Sequence, residues 1–156
     1  LGNCIYLSDT SKEIKKKVNS MYTDPEHLQI TDPGHVEGNV VFTYLDAFCD
    51  DSHFEKFLPE YKNLDEMKDH YRRGGLGDGT CKKFLFNIME DFLQPMREKR
   101  AHYEQNIPQV YEILRKGSEQ ARAAAAETLA DVRKAMKINY FEDAELIAEH
   151  TKKYQK

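Results

Sequence analysis

The sequence predicts an all-α protein, an irregular bundle of about seven helices. Three observations carry that reading. Apolar residues recur at three- and four-residue intervals, Ser, Thr or Asn stands before most of these stretches, and no strand–helix–strand alternation occurs. A length of 156 residues fits one domain able to bury an ordinary core. The first residue is Leu1, not Met, which predicts a piece of a longer chain.

The elements follow in order. Leu1 to Leu7 alternates weakly and fits either an orphan strand or a tail from an upstream domain. Thr10 and Glu13 form a capping box for a helix whose Ile14, Val18 and Met21 share one face, and Thr23-Asp24-Pro25 stops it. Pro33, Gly34 and Gly38 make 26–38 an ordered loop. Asn39 caps a helix carrying Val40, Val41, Tyr44, Leu45 and Phe48. Ser52 and Glu55 form a second capping box for a short helix that Pro59 ends. Asn63 caps another, with Leu64, Met67 and Tyr71 inward and Gly74 as its left-handed stop.

Gly74 to Gly79 holds four glycines and reads as a loop, with Thr80 capping the longest helix, through Asn106. Its stripe is Cys81, Phe84, Leu85, Ile88, Phe92, Leu93 and Met96, and Pro95 should kink it. The loop, the helix N-terminus and the adjacent Lys82 and Lys83 together offer an anion site. Pro108 opens a helix that Gly117 terminates. Ser118 then caps an alanine-rich helix to Met136, whose small residues let a neighbouring helix approach closely. A last helix spans Phe141 to Lys153.

Composition narrows the chemistry. The net charge of −4 excludes a basic blanket, so any RNA contact must be a local patch. Three cysteines without CxxC spacing read as reduced thiols of a cytoplasmic protein. No apolar run approaches the ~20 residues of a membrane span. The six histidines show no metal-ligand spacing, and no nucleophile elbow, Walker or dinucleotide-binding motif is present. The residues themselves therefore point to no catalytic group, metal or cofactor in this chain. Lys15, Lys16 and Lys17 fit a solvated helix face or an RNA contact.

Four stretches carry a family resemblance. They are LGNCIYLSD at the start, Ser11 to Asp24 ending in Thr-Asp-Pro, GNVVFTYL from Gly38, and GDGTCKKFL with the downstream GSEQARAAAAETLADVRKAM. Together they resemble the C-terminal part of the bacterial tryptophanyl-tRNA synthetases, over about Leu1 to Ile138. The resemblance implies a class I enzyme that activates tryptophan with ATP and Mg2+ and charges tRNA(Trp) as a homodimer. It implies that the catalytic domain lies upstream of Leu1 and that this chain is the anticodon-binding region. Residues 1–8 would then be a remnant following the lysine-serine signature loop, 9–138 the helical anticodon-binding domain and 139–156 a C-terminal extension.

By the same resemblance, Lys82 matches a lysine near the anticodon, with Lys83 beside it. Asp24 matches an acidic residue that reads an anticodon base, since a carboxylate accepts from a cytosine amino group and the anticodon is CCA. Lys16, Lys17 and Arg73 are phosphate candidates, and Tyr22 is the nearest stacking candidate. Two other readings stay open: a helical protein-interaction module, and a piece that supports the synthetase fold and dimer without reading the anticodon.

Overall fold

The computed structural model describes residues 4–155. Among them are seven α-helices and no strand, in agreement with the predicted class. The helices are α1 (Ser11–Asn19), α2 (Val40–Phe48), α3 (Asp51–Phe57), α4 (Leu64–Arg73), α5 (Asp78–Glu104), α6 (Ile107–Ala135) and α7 (Ala144–Tyr154). The chain divides into two compact units, one reaching to His102 and the other beginning at Tyr103. Among the described residues, no helix is long and apolar enough to cross a membrane.

The first unit is built around one apolar cluster. Ile14 and Val18 of α1, Val41, Phe42 and Leu45 of α2, Phe54 of α3, Met67 and Tyr71 of α4, and Phe84, Leu85, Ile88 and Leu93 of α5 are all buried. Phe84 meets Phe54 at 4.6 Å between ring centres, and Phe42 meets Tyr71 at 4.9 Å. Each such side chain contributes about 1.5–3 kcal/mol by leaving water, which is why α5, with the most of them, organises the unit. In the second unit α6 and α7 bury no side chain, and the small-residue face of α6 is exposed.

Caps set the starts of α1, α2 and α4 where the sequence puts them. The Thr10–Glu13 box is complete, Asn39 accepts from the Val41 amide at 3.1 Å, and Asn63 accepts from the Glu66 amide at 3.0 Å. Several boundaries differ. Asp50, not Ser52, caps α3; its carboxylate accepts from the Ser52 amide at 2.9 Å, and the His53 ring accepts from the Asp50 amide at 3.0 Å. Asp50 is an equally good cap two residues earlier, and the earlier start gains helix. α1 ends at Asn19, before Asp24, because the Ser20 hydroxyl donates to the Lys17 carbonyl at 2.9 Å and closes the last turn.

α5 begins at Asp78, so Gly79 and Thr80 are helical and Thr80 is not the cap. It ends at Glu104, and Pro95 lies inside it. Gly74 stops α4 with φ +82 and ψ 155, a positive φ with an extended ψ, not the left-handed helical turn expected. A Cβ there would sit 2.3 Å from the Thr31 carbonyl oxygen. α6 runs unbroken through Gly117 and Ser118, with Pro108 in its first turn. Glycine in a helix costs only about 1 kcal/mol against alanine, and Arg115 bridges the site by bonding Glu112 at 2.8 Å and Glu119 at 2.7 Å. α7 starts at Ala144 because Asp143 accepts from the Leu146 amide at 3.0 Å. Leu7 and Ser8 form a turn, closed by the Asp9 amide donating to the Tyr6 carbonyl at 3.0 Å. Residues 1–3 of the expected strand or tail lie outside the described residues.

Candidate nucleic-acid interface

Cations gather where the last turn of α1 meets the first turns of α5. The Lys82 ammonium donates to the Asn19 carbonyl at 3.0 Å, capping α1 from its neighbour. Lys15 lies 5.9 Å above the Phe86 ring of α5. Lys16 is exposed in the last turn of α1. Lys17, one residue on, pairs with Asp9 and stands 4.5 Å over the Tyr6 ring. The Asp9 bond raises the Lys17 pKa, so this charge is permanent and held. Lys83 is exposed directly after Lys82. Lys82 and Lys15 thus lie at the α1–α5 contact, whereas Lys17 faces Asp9 and Tyr6. Arg73 is exposed at the end of α4, where its charge is felt by Tyr61.

At the glycine loop, where the sequence predicts an anion site of free amides, two of the amides are already bonded. The Gly75 amide donates to Ile30 at 2.6 Å, and the Thr80 amide to Gly77 at 3.0 Å. The helix start already carries its own carboxylate. Asp78 accepts from the Thr23 hydroxyl at 2.6 Å and from the Tyr71 hydroxyl at 2.8 Å. Burial and the Asp78 charge push the Tyr71 pKa up, so its hydroxyl stays a donor. Asn39 completes the chain by donating to the same hydroxyl at 3.3 Å.

Asp24 turns inward. One carboxylate oxygen accepts from the Glu26 amide at 2.9 Å. The other accepts from the His35 amide at 2.7 Å and pairs with the His35 Nδ1 at 2.8 Å. Its side chain is only 4% exposed. The Glu26 amide first, then His35, hold its carboxyl below the ordinary range, and in return the Asp24 bond raises the His35 pKa. Beside this pair opens a cavity of about 190 Å3, lined among others by Tyr22, His35, Glu37, Gly38 and Asn39. Sequence reasoning missed His35 and Glu37. The Asp24-Pro25 pair signals a turn in which Asp24 bonds two residues on, but no periodicity places His35 against it.

No metal-holding group of His, Cys, Asp or Glu occurs among the described residues. Burial raises the Cys81 thiol to about 12 and the Cys49 thiol to about 11, so neither is a ready nucleophile.

Residues 1–94 match the family model for class I tRNA synthetases of the W and Y type. The chain belongs to that family. It is 53% identical over 141 residues to a tryptophan–tRNA ligase of Clostridium longisporum, covering 90% of this chain and 39% of the relative. A tryptophan–tRNA ligase of Streptococcus pyogenes serotype M3 is 48% identical over the same length and shares. Among solved structures, the tryptophanyl-tRNA synthetase from Campylobacter jejuni superposes with a TM-score of 0.65 at 25% identity, over 86% of this chain and 40% of that one. The same enzyme complexed with ADP and tryptophan gives 0.66. The chain therefore spans about 39% of the length of the curated synthetases it matches, in their C-terminal part.

Proposed function

We propose that this chain is the anticodon-binding helical region of a tryptophan–tRNA ligase. The whole ligase activates tryptophan with ATP and Mg2+ and attaches it to tRNA(Trp), in the cytoplasm and as a homodimer. The observation that carries the reading is the 53% identity over 141 residues to a ligase of that name. The ATP, the Mg2+ and the catalytic groups belong to the catalytic domain, and this chain supplies RNA binding.

The division of labour follows from the side chains. Lys16, Lys17, Lys82, Lys83 and Arg73 are the donors to phosphate oxygens in this reading, Lys16, Lys83 and Arg73 from exposed positions. Such contacts fix the register of the RNA and leave base identity to other groups. A net charge of −4 makes the patch, not the whole surface, the attractive element.

Titration of the ligase that carries this chain with tRNA(Trp) at two salt concentrations tests this. Lys83→Ala serves better than Lys82→Ala, because Lys82 also caps α1. Each lost phosphate contact should flatten the salt slope by about 0.7 on a single strand. Tighter binding to the CCA anticodon than to a substituted one is the expected outcome, and equal binding sinks the reading. A second reading, a module supporting the ligase fold and dimer, is favoured by the apolar cavity of about 350 Å3 lined by Ile5, Leu7, Tyr44, Phe48 and Phe92. It predicts binding indifferent to the anticodon.

A further inference from the structure

The cavity beside Asp24 deepens this reading and rests on it. Its volume, about 190 Å3, suits one planar ring. Tyr22 on its wall is 61% exposed and available to stack on a base. Gly38 on another wall has φ +79, a backbone form that favours glycine, and nothing lies within 4 Å of where its Cβ would stand.

Two carboxylates line this space, and they differ in what they can still do. Asp24 already accepts three internal donors, from Glu26 and His35, and turning it outward would strand all three. Glu37 has a side chain 76% exposed, and its ion pair is an exposed one, with Arg72 at 3.1 Å. Exposed pairs of this kind add little stability, so the Glu37 carboxylate exchanges Arg72 for another donor at small cost. A carboxylate accepts from the exocyclic amino group of cytosine. Uracil presents an oxygen at that position and is repelled.

We propose that this cavity takes one unstacked anticodon base bearing an amino group, and that Glu37, not Asp24, accepts from that group. Asp24 is then a positioning residue that pins His35 and shapes the wall. Arg72 keeps its second partner, Asp69 at 3.2 Å, when Glu37 turns to the base.

The test uses the ligase that carries this chain and tRNA(Trp) transcripts with anticodon CCA, UCA or CUA. Affinities are measured for wild type, Glu37→Gln and Asp24→Asn. Wild type should prefer cytosine at one of the two positions by about 5- to 150-fold. Glu37→Gln is isosteric and exposed, so it should keep its circular dichroism while losing most of that preference, with unchanged or improved affinity for the uracil transcript. Asp24→Asn should weaken all three transcripts together. A Glu37→Gln ligase that keeps the wild-type preference overturns the assignment and leaves anticodon reading intact. Loss of preference in Asp24→Asn alone, with the fold retained, overturns it too. A wild type without preference at either position overturns the anticodon reading itself.

Discussion

Asp24 and His35 bind each other most strongly when the carboxylate is ionised and the imidazole protonated. Hydrogen bonds from Glu26 and His35 lower the Asp24 pKa, so its contribution is present above the ordinary carboxylate value and fades as pH falls through the folded one. The Asp24 bond raises the His35 pKa, so its contribution is complete below the ordinary value of ~6.5 and fades as pH rises through the folded one. Glu26 and Glu37 add smaller pulls in the same direction on His35. The difference in melting temperature between wild type and His35→Ala should therefore be largest near pH 5–6 and shrink on going to pH 8, which is roughly the window set by the ordinary values. A difference that grows with pH would contradict the pairing. The pair also marks where sequence reasoning stops. Asp24 stands out by its place before Pro25, but eleven residues separate it from His35 and only the folded loop joins them. Tyr71 is a similar case: its burial follows from helical spacing, whereas its hydroxyl bonds to Asp78 and Asn39 do not.

Helices α1, α2 and α4 were legible because each combines an apolar stripe with a capping residue of the right chemistry, and the structure uses those very caps. Errors arose where two good signals compete. Asp50 and Ser52 both suit the start of α3, and the earlier one prevails. Gly117 reads as a terminator, yet its neighbours are strong helix formers and its position is open, with nothing within 4 Å of where a methyl would stand. That openness makes a direct test. Gly117→Ala should stabilise α6 by about 1 kcal/mol, since alanine is the better helix former and meets no neighbour. Hydrogen exchange of amides 113–121 should slow by roughly fivefold, as 1 kcal/mol implies. Unchanged or faster exchange would mean that the helix breaks at Gly117 after all.

At the scale of the molecule, the stripe of α5 explains why the first unit has a core, and the absence of any buried side chain on α6 and α7 distinguishes the second. Ile113, Leu114, Leu129 and Val132 are exposed on α6, as is Ile147 on α7. The sequence marks helix in both stretches, though it divides α6 at Gly117 and starts α7 at Phe141; which face would be buried was not readable, because a stripe of small residues names no partner. The energetic consequence is measurable. Amides in α2 and α5, such as Leu45, Leu85 and Ile88, lie inside the core, so their exchange requires loss of the unit, about 5–15 kcal/mol for an ordinary domain. Amides in α6 and α7 are protected only by helix formation and surface ion pairs, of which Arg115 with Glu112 and Glu119 is one group. α7, with 11 residues, is below the ~12–15 residues under which isolated helices are marginal in water, and α6 has no buried side chain to add packing to helix formation, so exchange there proceeds by local fraying and opening. Hydrogen exchange on this chain should show α6 and α7 labelled within the time that leaves the core of α2 and α5 untouched. Equal protection of the two sets would require buried contacts on α6 that its exposed face does not have.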